Sequence, residues 1–111
     1  MATEASFVDY VLEQADLGER LTRRRMFGEY GFHLDGKFVA MACDNSFFIK
    51  ETDAIRELDL DLPRRPPYPD AKPWPVADEL LDDAPLLNQL LRESAKHLPP
   101  PKPRKRRKQT S

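Results

Sequence analysis

Phe27-Gly28-Glu29-Tyr30-Gly31-Phe32-His33-Leu34-Asp35-Gly36-Lys37-Phe38-Val39-Ala40-Met41-Ala42-Cys43-Asp44-Asn45-Ser46-Phe47-Phe48-Ile49-Lys50 carries the strongest structural signals in the chain. Asp35-Gly36 sits between two apolar runs and has the chemistry of a two-residue type I′ turn, in which both positions take positive φ. Asp44-Asn45 repeats the signal more weakly. The runs Phe27–Leu34, Lys37–Cys43 and Ser46–Lys50 then predict a three-stranded antiparallel meander.

Register follows from the turn. Leu34 faces Lys37, Phe32 faces Val39 and Tyr30 faces Met41, and opposed residues share a face. One face is expected to carry Tyr30, Phe32, Leu34, Val39, Met41, Cys43 and Phe48. The other carries Gly31, His33, Phe38, Ala40, Ala42, Phe47 and Ile49. Both sets are largely apolar, whereas a sheet with one wet face alternates with polar residues. Both faces therefore need cover. Either the helices wrap both, or a protein partner covers one, a second copy of the chain being the commonest solution. Gly31, Phe38, Ala40, Ala42, Phe47 and Ile49 are the candidate interface, because small residues let another element approach closely.

Upstream, Phe7, Val8, Val11, Leu12 and Ala15 recur at helical spacing across Ser6–Leu17. Thr3 or Ser6 is placed to cap that helix and Gly18 to stop it. Downstream, Thr52 caps a short helix to Leu60, with Ile55 and Leu58 inward. Six prolines between Pro63 and Pro75 interrupt regular structure, leaving Tyr68 and Lys72–Val76 as short edge strands. Asp78–Leu98 returns to helix, with Pro85 in its first turn and Leu87, Leu90, Leu91, Ser94 and Leu98 in one stripe. Pro99-Pro100-Pro101 ends it.

Residues 1–98 thus read as one α+β domain and 99–111 as a disordered basic tail. A length of 111 residues allows one modest core. Six of the 18 basic residues lie in the tail, as Lys102, Arg104, Lys105, Arg106, Arg107 and Lys108. The body keeps twelve basic against nineteen acidic residues, so an acidic body meets a cationic tail. No apolar run approaches the roughly 20 residues of a membrane helix, and no signal peptide is visible. A single cysteine, Cys43, forms no internal disulfide and suits a reducing, cytoplasmic setting.

One segment has a recognisable look: Arg24-Arg25-Met26-Phe27-Gly28-Glu29-Tyr30-Gly31-Phe32-His33-Leu34-Asp35-Gly36-Lys37. It resembles the N-terminal domain family of the TfoX and Sxy competence regulators, in which a helix precedes an R-x-M-F-G-G-x-G-like stretch, a strand, a D-G turn and two more strands. The motif residues here are Arg25, Met26, Phe27, Gly28, Gly31, Asp35 and Gly36. The resemblance spans residues 6 to 98 and implies an α-β(3)-α-β(2)-α fold. It also implies a link to transcriptional control of DNA uptake in bacteria, in a member without the second, helical domain of the full regulators. Glu29 stands where the family usually has a second glycine.

Chemistry-bearing residues are read as follows. Cys43 and His33 lie on neighbouring strands, but the register sends them to opposite faces, leaving a small buried thiol and a rim histidine. His97 sits near a helix C-terminus, where positive charge is favourable. Asp59 and Asp61 read as a solvated edge, and Asp82-Asp83 as helix caps. Gly28 and Gly31 lack the lysine and following helix of a phosphate loop and instead permit a bulge or close backbone packing. Zinc needs three or four ligands, more than one cysteine and two distant histidines supply. A non-enzymatic module without cofactor, metal or small-molecule substrate is expected. The alternative is a nucleic-acid accessory protein using Arg23, Arg24, Arg25 and the tail, which would bind without base stacking because no aromatic residue is interleaved.

Overall fold

The computed structural model describes residues 3–26 and 29–100. Phe27 and Gly28 of the motif and the basic residues from Lys102 to Lys108 lie outside the described residues. In chain order the elements are helix α1 (Ala5–Ala15), strands β1 (Leu21–Met26), β2 (Glu29–Leu34), β3 (Lys37–Cys43) and β4 (Ser46–Ile49), helix α2 (Asp53–Glu57), strands β5 (Arg64–Arg65) and β6 (Trp74–Pro75), and helix α3 (Ala84–Lys96). Short 3-10 turns at Gly18–Arg20 and Asp78–Asp82 precede β1 and α3.

The meander is present, with one strand more than the sequence predicted. The antiparallel sheet has the order β1-β2-β3-β4. Both turns have the expected geometry, with φ of 52° and 86° at Asp35 and Gly36 and 52° and 58° at Asp44 and Asn45. The extra strand is β1, whose Thr22, Arg23, Arg24 and Arg25 are exposed. A run of three arginines has no apolar alternation to mark it as a strand. It is held by six pairings to β2, from Leu21–Leu34 to Met26–Glu29.

A bulge corrects the predicted faces. His33 pairs with Phe38 and Leu34 with Lys37, as expected, but Phe32 pairs with Ala40, Gly31 with Met41 and Tyr30 with Ala42. Val39 is the additional residue on β3, and an inserted residue exchanges the two faces of everything beyond it. Ala40, Ala42, Phe47 and Ile49 therefore join Phe32, Leu34 and Val39 in the main core, all at 0% exposure. Met41, Cys43 and Phe48 pass to the opposite face, where they form a second cluster with Val76, Phe38 and Trp74.

The main core lies between the sheet and the helices. Val8, Val11 and Ala15 of α1 and Leu87, Leu90 and Leu91 of α3 are fully buried in it. Phe32 and Phe47 meet edge to face with ring centres 5.6 Å apart, a favoured aromatic geometry. Polar groups fix the helices to one another. Asn88 Nδ2 donates to the carbonyls of Ala15 and Asp16 at 2.7 and 3.2 Å, satisfying the end of α1. Gln14 Nε2 donates to the Leu81 carbonyl at 2.6 Å.

The helix expected over Asp78–Leu98 begins at Ala84, after the 3-10 turn, the helix expected to reach Leu60 ends at Glu57, and the start of α1 also differs. Thr52 caps α2 by accepting from Ala54 N–H at 3.3 Å. Asp83 caps α3 by accepting from Leu86 N–H at 3.3 Å, with Pro85 in the first turn. Glu4, neither Thr3 nor Ser6, occupies the α1 cap position, without a side-chain bond. Asp16, with φ of 54°, ends α1 two residues before Gly18.

Candidate functional site

The proline-rich segment lies against the face of the sheet away from the helices. β5 and β6 pair as Arg64–Pro75 and Arg65–Trp74. Val76 continues from β6 to bridge Phe48 on β4. Ala77 N–H donates to the Phe47 carbonyl at 2.8 Å, and Phe47 N–H donates to Asp78 Oδ1 at 2.6 Å. The outer edge of β4 is thus occupied. Arg65 reinforces this end, with its guanidinium 5.2 Å from the Phe48 ring centre and Nη2 donating to Ser46 Oγ at 2.6 Å.

Toward β1 the cover is incomplete. A hollow of about 530 Å³ opens between Met26, Phe38, Met41, Cys43, Tyr68 and Trp74, with Glu29 and Tyr30 at its side. Trp74 leans on Phe38 at 5.9 Å between ring centres. Tyr68 is 56% exposed, the most exposed of the large apolar side chains described. A second depression of about 500 Å³ shares Met26 and Phe38 and is lined by Arg24, Arg25 and His33. The floor is apolar, and one flank is cationic.

Gly31 sets the depth of this floor. A Cβ at that position would lie 2.7 Å from Met26 Sδ and 3.0 Å from Phe38 Cε1. Met26 and Phe38 therefore close over a bare backbone, which accounts for glycine opposite Met41 on a strand.

Two of the six residues expected to form an interface, Gly31 and Phe38, are on this face. Ala40, Ala42, Phe47 and Ile49 are not, because the bulge turns them under the helices. The helices wrap one face, and the proline-rich segment partly covers the other.

His33 and Cys43 share this face, contrary to the expected register, yet they stay apart. His33 stacks on Phe38 at 5.3 Å, near the Asp35-Gly36 turn, while Cys43 lies at the far end of β3. Four residues of strand separate the two levels, or about 13 Å. Cys43 is 3% exposed. Burial, then the charges of Glu29 and Asp44, push its thiol up to about 11, so it is protonated at neutral pH. Burial and the nearby Arg24 push His33 below its usual value, favouring the neutral ring.

The arginine run is divided. Arg23 Nη1 lies 2.5 Å from Asp9 Oδ1 on α1. Arg25 lies over the Tyr30 ring at 5.9 Å. Among the described residues Arg24 and Arg25 form no ion pair with a carboxylate, and no cluster of three metal-ligating side chains forms. Asp82 accepts from the Tyr10 hydroxyl at 3.2 Å. His97 pairs with Glu57 at 3.0 Å. No helix among these residues is long and apolar enough to cross a membrane.

Trp74 was expected only within a short edge strand, and Tyr68 in another, which the structure places instead at Arg64–Arg65. Trp74 and Tyr68 wall the hollow, and the one tryptophan of the chain inside a proline-rich stretch was the available signal. Glu29, noted there as a departure from a glycine, accepts from Thr3 N–H, Thr3 Oγ1 and Asp44 N–H at 3.1, 2.5 and 3.2 Å.

A small α+β domain with one helix-backed sheet face and one partly open apolar face is what these elements define. The TfoX N-terminal domain matches residues 13–98, and the chain belongs to that family. A protein of Spirochaeta aurantia, named as an uncharacterized 12.7 kDa protein in the trpE 5′ region, is 44% identical over 110 residues, covering 99% of this chain and 96% of its own length.

Proposed function

We propose that the chain is a non-enzymatic regulatory module that docks an apolar segment of a partner protein on the open face of its sheet. The observation that carries this reading is the hollow between Phe38, Met41, Tyr68 and Trp74. Its size is within the range of pockets that bury small ligands, which leaves room for a large side chain. Trp, Tyr and Met are enriched where protein surfaces meet, the two aromatics because they supply large apolar contact with little ordering cost and methionine because it adapts its shape. Family membership supports a regulatory setting, the transcriptional control in which the competence regulators act.

Peptide selection from a random display library on the full chain tests this. The expected binders carry a large apolar side chain, quench or shift Trp74 fluorescence, and bind at least about ten-fold more weakly to the Phe38→Ser variant. Failure to enrich any binder, or binders indifferent to that substitution and silent at Trp74, overturns the reading.

A second reading rests on the sequence alone. Six cationic side chains from Lys102 to Lys108 favour nucleic-acid phosphates. Deletion of residues 101–111 should then abolish DNA binding at low salt. Unchanged affinity after deletion, or no binding by the full chain, overturns this alternative.

A further inference from the structure

The two edges of the sheet differ. The outer side of β4 is taken up by Val76, Ala77 and Asp78. The outer side of β1 makes no backbone pairing among the described residues. Every second N–H and C=O of an edge strand points away from its neighbour and is a template for another strand. β1 offers six residues of such template, longer than the four-residue β4.

Charge decides what this template accepts. Consecutive strand residues alternate between faces, so Arg23 and Arg25 flank the edge on the helix side and Arg24 on the open side. A second copy pairing through the same edge would set three arginines against three, and like charges directly opposite destabilise a strand pair. The cationic tail is repelled for the same reason. An acidic strand meets the opposite situation: Arg24 and Arg25 have no carboxylate among the described residues. Beside Arg24 lies the depression walled by Met26, His33 and Phe38, which takes an inward-facing side chain of an added strand.

We propose that β1 is a docking edge for an extended acidic segment of a partner protein, which adds as a fifth strand beside Arg23, Arg24 and Arg25. This rests on the protein-docking reading above and supplies the chemistry of the partner. Strand addition takes its affinity from main-chain hydrogen bonds and its selectivity from recognition of alternate side chains, a role the arginines fill here by charge. Attraction between exposed charges falls with ionic strength, so added salt should weaken the complex.

The test uses the full chain and a capped, labelled peptide of about eight residues alternating glutamate with valine, long enough to span β1. Two controls replace glutamate by lysine, or methylate every second peptide nitrogen. The expected result is anisotropy binding of the glutamate peptide alone, slowed amide exchange in β1, and at least a ten-fold loss with Arg24→Glu plus Arg25→Glu. Binding by the lysine or methylated peptide at equal affinity, binding without slowed exchange in β1, or no binding overturns the inference. If display-selected peptides still bind in a Phe38-dependent way, the docking reading stands and only the edge assignment falls. Circular dichroism of the double variant distinguishes loss of binding from loss of fold.

Discussion

Thr3 donates both its backbone N–H and its hydroxyl to one oxygen of Glu29, at 3.1 and 2.5 Å, across 26 residues of sequence. The same oxygen accepts from Asp44 N–H at 3.2 Å. Asn45 N–H donates to Thr3 Oγ1 at 3.3 Å, and Asn45 Oδ1 accepts from Glu4 N–H at 2.9 Å. The entry to α1, the start of β2 and the β3–β4 turn are thereby held at one point. Glu29→Ala leaves three donors without their acceptor and should destabilise by about 1–3 kcal/mol, with Glu29→Gln intermediate. Urea unfolding measures both, and an unchanged midpoint for the alanine variant would show that the network adds nothing.

Gly31→Ala should cost about 1–3 kcal/mol, because the new methyl enters the space of Met26 Sδ and Phe38 Cε1. Displacement of Phe38 should carry to Trp74, so the emission of the single tryptophan reports the change. Met26→Ala in the same chain removes the closer obstacle. A double-mutant cycle should show this coupling, and additivity of the two losses would refute the contact.

Ala40→Glu and Ala42→Glu distinguish the observed faces from those first expected. On an open interface these changes would separate copies of a folded chain. Beneath the helices they bury a carboxylate without a partner, a loss of several kcal/mol. Circular dichroism and size exclusion should show an unfolded or aggregated chain. A folded variant of normal stability would overturn the bulged register.

Cys43 gives a pH dependence of definite sign. Its folded thiol titrates at about 11, above the roughly 8.5 of an unfolded cysteine. The folded state therefore holds the proton more tightly. The associated stability is complete below about pH 8.5 and is lost as pH rises through about 11. Cys43→Ala should flatten this part of the profile. Alkylation by iodoacetamide near pH 8 should be at least about a hundred-fold slower than for the urea-unfolded chain, since thiolate is the reactive form.

The exposed ends of the meander respond at the opposite extreme. Arg20, by its hydrogen bond and its charge, holds the carboxyl of Asp35 below the usual carboxylate range. Stability from this pair is present above the unfolded value, roughly 3.9, and is lost as pH falls through the lower folded value. Arg20→Ala should remove that acid-side dependence from the unfolding midpoint while leaving the neutral-pH fold intact. The pair is solvent-exposed, so added salt should weaken the effect.

Local chemistry made much of the fold legible. Asp35-Gly36 and Asp44-Asn45 announce their turns because few residues accept positive φ, and Thr52, Asp83 and Pro85 announce helix starts. β1 was hidden because its register comes from β2 and its side chains carry no alternation. The bulge at Val39 was hidden because both faces are apolar, so exchanging them leaves the pattern unchanged. The candidate surface was half legible for that reason: Gly31 and Phe38 precede the bulge and fall where expected, whereas Ala40 and Ala42 follow it. Trp74 and Tyr68 reach the sheet through tertiary packing that no short window encodes.

Val39 acts in this protein as a reading-frame marker does in a message. Setting Val39 opposite Phe32, rather than leaving it as the extra residue, would change neither composition nor hydropathy, yet everything downstream on β3 would trade sides. Methionine and cysteine would be pressed beneath α3, where alanines now sit, and two methyl groups would replace them outside. The shallow apolar basin would flatten as the interior became overfull. A one-residue slip of register at this position therefore alters the open apolar face more than most substitutions within it.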